Sequence, residues 1–210
     1  MTENNNQYPH LTTKDKQLCI NLAQQTLTTN KVTQTDITTV TQQLGRYPRG
    51  IIGIGARCTR CQTPLVVITR PLINGTLPFP TTCYLTSREA TKAVSGLEST
   101  GVMTQLTAQL ADTTDHANHL REQYYRAHEM YLFFRSLLAE HLGDSEEHIA
   151  SISAGGMPTR VKCLHALVAQ SLVFGSGVNP VGDWALTQIK DSFDPHVCRC
   201  SIHLTDNQKG

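Results

Sequence analysis

Three short stretches of this chain bring together side chains that can do chemistry. The first is Cys58-Thr-Arg-Cys61. Zinc takes thiolates at about 2.3 Å in a tetrahedron, and a two-residue spacer in a tight turn lets both sulfurs reach one ion. Arg57 and Arg60 would offset thiolate charge and depress the thiol pKa values. One such pair is half a site. The other half can come from Cys198-Arg-Cys200, or from Cys163 with one of those two cysteines. An iron–sulfur cluster would use the same ligands. The bland alternative is a pair of exposed, redox-inert thiols.

The second stretch is Cys163-Leu-His165, inside AGGMPTRVKCLHALVAQSLVFGSGVNPVGD, residues 154–183. Met157-Pro158 puts a proline where a helix can begin, and Gly175 closes the helix. On such a helix Cys163 and His165 lie roughly 160° apart. The expectation is therefore that they cannot share an ion or act as a nucleophile–base pair directly. They serve equally well as a core thiol and a boundary histidine. Asn179 and Asp183 follow in a polar loop that would reach a ligand if it folded back over Cys163.

The third is electrostatic. No Asp or Glu occurs from Ile37 to Arg88, whereas Arg46, Arg49, Arg57, Arg60, Arg70 and Arg88 do. Such an island suits phosphate, in a nucleotide or along a nucleic-acid backbone. Arg46, Arg49, Arg57 and Arg60, with His165, Asn179 and Asp183, are the candidate ligand- or phosphate-binding residues. Aromatic interleaving by Tyr47, Phe79 and Tyr84 is too sparse for a stacking platform. A solvated face paired with acidic helices explains the same arginines. His116 and His119, beside Asp115, read as solvated.

These groups need elements to position them. Ile51 to Ala56, Pro64 to Thr69 and residues 81–86 read as three strands, with the Cys58/Cys61 turn between the first two. Gly53 and Gly55 in the first strand suggest close backbone approach, and Cys83 in the third reads as a core thiol. The link 74–80 reads as a turn and extended connection. Helical patterns cover Lys14 to Leu27, Asp36 to Leu44 with Asp36 as cap, a Ser87-capped stretch to Leu97, Met103 to Leu110, Asp115 to Leu142, and Asp183 to Lys190. In the long helix Leu120, Tyr124, Ala127, Tyr131, Phe134 and Leu138 form a heptad-like seam, suited to packing within the domain or to a homodimer. The expected architecture is α+β, a small three-stranded antiparallel sheet followed by a mostly helical region. Residues 13–200 would form one domain, between a disordered N-terminal tail (1–12) and a polar C-terminal tail (201–210).

Composition sets outer limits. The 210 residues carry a formal charge of +1, which gives no global attraction to nucleic acid or membrane. No apolar run approaches the roughly 20 residues of a membrane span, and the polar start lacks a signal peptide's apolar core. A cytoplasmic location follows as the expectation. In a reducing compartment the seven cysteines read as ligands, reactive thiols or core thiols rather than disulfides.

Taken together, GRYPRG, NGTLPFPTTCYLT, SGLESTGVM, AGGMPTRVKCLHALVA and GSGVNPVGDWAL resemble the bacterial, notably actinobacterial, domain of unknown function 501 family, over Gly45 to Leu186. Two positions depart from its pattern. Gln62 stands where a Gly often follows the knuckle, and Gln170 where a His often ends the KCLHALVA segment. The resemblance implies no established activity, only an association with genes for septum formation and the cell envelope.

Three readings remain open from the sequence. The first is a protein with a cysteine-rich site for zinc or an iron–sulfur cluster. The second is a binding module with structural zinc and an arginine face for nucleic acid or an acidic partner. The third is an enzyme using Cys163 as nucleophile.

Overall fold

The fold is that of a computed structural model, which describes residues 7–200. It opens with α1 (Thr13–Thr28) and α2 (Gln34–Leu44). Each starts with a full capping box: Thr12 with Asp15, and Thr33 with Asp36. Thr33, not Asp36, is therefore the N-cap of α2. Asp36 sits three residues in, where its carboxylate takes the Thr33 backbone N–H.

The sheet has the order β1 (Ile51–Arg57), β2 (Pro64–Thr69), β5 (Cys83–Leu85), all antiparallel. The link between β2 and β5 is more structured than an extended connection. It forms a two-stranded hairpin, β3 (Leu72–Ile73) and β4 (Leu77–Pro78), turned by Asn74 and Gly75 at φ 53° and 71°. Asn-Gly is the dipeptide such a turn favours. The central strand β2 is buried along its whole length, as a strand covered on both faces must be. Gly53 and Gly55 of β1 make the close approaches expected of them. A β-carbon at Gly53 would lie 2.7 Å from Thr26, and one at Gly55 2.7 Å from both Ile68 and Val173.

The helical part follows: α3 (Arg88–Glu98), α4 (Val102–Ala111), α5 (Asp115–Leu142), the short turn α6 (Glu147–Ile149, a 3-10 helix), α7 (Leu164–Phe174) and α8 (Pro180–Gln188). Among the described residues no helix is long and apolar enough to cross a membrane. The seam of α5 is buried from its second residue on: Tyr124, Ala127, Tyr131, Phe134 and Leu138 are all inaccessible to solvent, while Leu120 at its start is half-buried. Phe134 meets Phe174 of α7 edge to face at 5.3 Å. The Tyr131 hydroxyl accepts the backbone N–H of Cys83 at 3.0 Å. The seam thus joins the long helix to α7 and to the sheet edge within one chain. Cys19 and Cys83 are core thiols, and burial pushes both thiols up, Cys19 to about 12.

Two expectations for the region around α7 and α8 change. The Met157–Pro158 bond is cis, residues 154–163 run as turns, and α7 begins only at Leu164. The final helix begins at Pro180, not Asp183. Asn179 caps it by accepting the N–H groups of Val181 and Gly182 at 3.1 and 2.9 Å. At the N-terminal end, residues 8–12 of the expected tail are held in place. Tyr8 packs its ring at a tilt against Phe133, with centroids 5.4 Å apart, and His10 bonds Glu129 at 2.6 Å. Residues 1–6 of that tail and the polar tail 201–210 lie outside the described residues.

Candidate metal centres

The β1–β2 turn is closed by the Cys58 N–H donating to Thr63 O and the Gln62 N–H donating to Cys58 O, each at 2.9 Å. To complete that turn Gln62 takes φ 62°, the left-handed region a glycine adopts without cost. The turn aims Cys58 and Cys61 toward a second segment that returns from far along the chain. After α8, Phe193 anchors in the core at 4% exposure. Pro195 O then accepts the backbone N–H and side-chain hydroxyl of Thr59, at 3.4 and 3.3 Å. This docking carries Cys198 and Cys200 onto the knuckle.

The sulfurs of Cys58, Cys61, Cys198 and Cys200 all lie within 4.8 Å of one another. A tetrahedral zinc with bonds of about 2.3 Å would set its sulfurs about 3.8 Å apart. The cluster ranges from the buried Cys58 to the exposed Cys198. Burial acts to raise the Cys61 thiol. Hydrogen bonds from the Thr63 side chain and backbone, then from Cys198 and Cys58, outweigh it and hold Cys61 down at about 6. Cys200 moves the other way, raised by burial and by sharing its proton with Cys61. Four sulfurs at this spacing cannot all be anionic unless a cation lies among them.

Cys163 does not belong to this group. It joins a second cluster, with Glu98 and His165, whose ligand atoms also lie within 4.8 Å of one another. The helical-wheel argument that kept Cys163 and His165 apart fails because Cys163 is not in the helix. It is the N-cap of α7, with extended backbone at φ −154°, ψ 109°. Its sulfur therefore comes within 3.9 Å of His165 Nδ1. The same Nδ1 is 3.2 Å from Glu98 Oε1, and that oxygen accepts the Leu164 N–H at 2.6 Å. The other ring nitrogen, Nε2, faces Thr91 O and Ser95 Oγ, each at 3.2 Å. The neighbouring Cys163 sulfur and the Glu98 charge outweigh burial and raise the imidazole to about 9. Cys163 and His165 line a cavity of about 660 Å³ that Arg88 and Lys92 also border.

Glu98 was not found by sequence reasoning, since nothing local links it to Cys163. One signal was available. Glu98 ends α3, where the helix dipole disfavours a carboxylate, so an acidic residue there needs a partner elsewhere. That partner is the N-terminus of α7.

The remaining candidates lie apart. Arg57 is clamped by Asp36 at 2.7 and 2.9 Å and also donates to Gln62 O, so its charge is neutralised by the capping carboxylate of α2. Arg60 is exposed. Arg46 and Arg49 border a different, shallow cavity of about 170 Å³, at the other end of β1, roughly 20 Å away along a seven-residue strand. Arg70 pairs with Asp144 at 2.5 Å. Arg88 donates to the carbonyls of Gln42 and Gln43. The arginines do not form one face. Asn179 is fully buried, capping α8 and donating to Gln170 Oε1 at 2.8 Å. Asp183 accepts the Gly177 N–H at 2.6 Å. Both sit beyond the far end of α7, roughly 16 Å along the axis from Cys163, and neither joins a cluster.

A small sheet bound to a helical body, with two separate groups of side chains of metal-ligand type, describes the class of protein. The chain belongs to the family described as protein of unknown function (DUF501), whose profile matches residues 54–187. Comparison with curated proteins and with solved structures yields no match. The matched range holds Cys58, Cys61, Glu98, Cys163 and His165 and stops short of Cys198 and Cys200.

Proposed function

We propose that this is a zinc protein in which Cys58, Cys61, Cys198 and Cys200 hold one structural ion. The observation that carries this is the approach of four sulfurs, from segments about 140 residues apart, to within 4.8 Å of one another. The four-thiolate set is closed, with no position left for substrate, as structural zinc sites are. A two- or four-iron cluster divides its thiolates among several metals and holds them farther apart, so the compact spacing favours a single ion. A cytoplasmic location suits this reading, because a reducing compartment keeps close thiols as ligands rather than disulfides. The structural ion gives the binding-module reading its frame, but the dispersed arginines give that reading little support.

The test is metal analysis of protein purified without chelator or air. Cys58→Ser and Cys200→Ser should each abolish zinc at this site and lower thermal stability, while Cys19→Ser should leave the zinc in place. A colourless wild type whose zinc content is unaffected by Cys58→Ser would refute the assignment. A coloured protein carrying several irons would refute the choice of zinc.

A further inference from the structure

The second cluster has its own geometry. Glu98, Cys163 and His165 supply a carboxylate, a thiolate and an imidazole, all zinc ligands. In a tetrahedral site the imidazole nitrogen would lie about 3.6 Å from the sulfur and about 3.3 Å from the carboxylate oxygen. The distances are 3.9 and 3.2 Å.

The orientation of the ring separates a metal site from a nucleophile. In a thiol–imidazole–carboxylate relay, opposite ring nitrogens face the thiol and the carboxylate. Here one nitrogen, Nδ1, faces both. Nε2 is engaged by the Thr91 carbonyl at 3.2 Å, the outer-shell contact that fixes the tautomer and orientation of a metal-bound histidine. The three ligand atoms lie within 4.8 Å of one another, and Cys163 and His165 line the cavity, which would supply the fourth position. That is the open arrangement of a reactive zinc site, in contrast to the closed four-thiolate set.

Charge then indicates what enters. A divalent ion with one thiolate and one carboxylate is neutral, so its surroundings decide the sign. Arg88 donates to two neutral carbonyls, and Lys92 has no carboxylate partner among the described residues. Both border the cavity, leaving a net charge near +2, the complement of a dianion.

We propose that Glu98, Cys163 and His165 form a second, open zinc site whose fourth position takes a phosphate-class oxyanion, with Arg88 and Lys92 as its counter-charges. This site does not depend on the structural one, since the two share no ligand. The test uses the full chain loaded with cobalt(II) in place of zinc. Wild type should take up about two ions, and Cys163→Ser, His165→Asn and Glu98→Gln about one each with unchanged far-ultraviolet circular dichroism. Glu98→Gln keeps an oxygen for the Leu164 N–H, so it isolates ligation from folding.

Inorganic phosphate should shift the visible cobalt bands of wild type and of Cys58→Ser, but not those of His165→Asn. Lys92→Ala should weaken that response about tenfold. One ion per wild-type chain that Cys58→Ser removes and His165→Asn does not would overturn this site and leave the structural one standing. An equal response to acetate at equal concentration would overturn the phosphate assignment. Alkylation of Cys163 at the same rate with and without metal would overturn ligation by that thiol.

Discussion

Gln62 sits in the left-handed region, where a side chain costs about 1 kcal/mol relative to glycine. Gln62→Gly should raise stability by a few tenths to about 1 kcal/mol, the gain being reduced by glycine's greater freedom when unfolded. Loss of stability on chemical denaturation would mean that the Gln62 side chain makes a contact worth more than the strain. The family resemblance marked this position as a departure, but its meaning lies in a backbone angle that no spacing reveals. Gln170, the other departure, also gains its meaning from the fold: it donates to Ala127 O and accepts from Asn179, both at 2.8 Å, in full burial.

His128 offers a pH test at the same scale. It is 9% exposed and bonds Ser153 Oγ through Nδ1 at 2.8 Å. Burial, then the Arg135 charge, lower its pKa from 6.5 to about 4. The unfolded chain therefore binds this proton at a higher pH than the folded one. Its contribution to stability is complete above about 6.5 and is lost as pH falls toward 4. The loss is on the order of 3 kcal/mol. Metal release from thiolates also occurs in acid, so the measurement is a difference: His128→Asn should flatten the stability–pH curve relative to wild type across that window. Parallel curves would sink the assignment.

Among the elements, the long helix does most of the joining. Phe134 of α5 meets Phe174 of α7, and Tyr131 holds the β5 backbone. Phe134→Ala should cost about 3 kcal/mol or more in denaturant unfolding, whereas a loss below about 1 kcal/mol, the scale of exposed sites, would place the seam outside the core. Gly182 of α8 has no room for a β-carbon against Leu167 O and Ser171 Oγ, so Gly182→Ala should also destabilise, by pushing α8 off α7. The strands, the knuckle turn and this seam were legible because each is a local pattern: alternation, a two-residue spacer, a step of three or four. The start of α7 was not. A wheel assigns every residue in a window to one helix, and it therefore rotated Cys163 away from His165. The chain instead turns through 154–163 and enters the helix one residue after the cysteine, which places both side chains on one side of the entrance.

At the scale of the whole molecule, the four-cysteine cluster decides whether the last segment belongs to the fold. Between α8 and Cys200 the chain is held by the Phe193 anchor and by the Thr59–Pro195 contacts at 3.3 and 3.4 Å. Hydrogen bonds of this kind each contribute only about 1 kcal/mol net. A single ion bound by Cys58 and Cys61 on one side and by Cys198 and Cys200 on the other would add its binding energy to folding. It would also close a loop of about 140 residues, and constraining a loop of that length in the unfolded chain is worth several kcal/mol. Removing the metal should therefore act in two stages. Mild chelation should free the C-terminal segment first, so that protease cuts between Lys190 and Cys200 while a fragment containing α1 to α8 stays resistant. Stronger chelation or heat should then unfold that fragment at a lower midpoint than the intact, metal-loaded chain. Cys198→Ser should mimic the first stage without chelator. If chelation and Cys198→Ser leave both the cleavage pattern and the midpoint of wild type unchanged, the cluster does not staple the segment, and its other contacts, the Phe193 anchor and the Thr59 bonds among them, suffice to hold it.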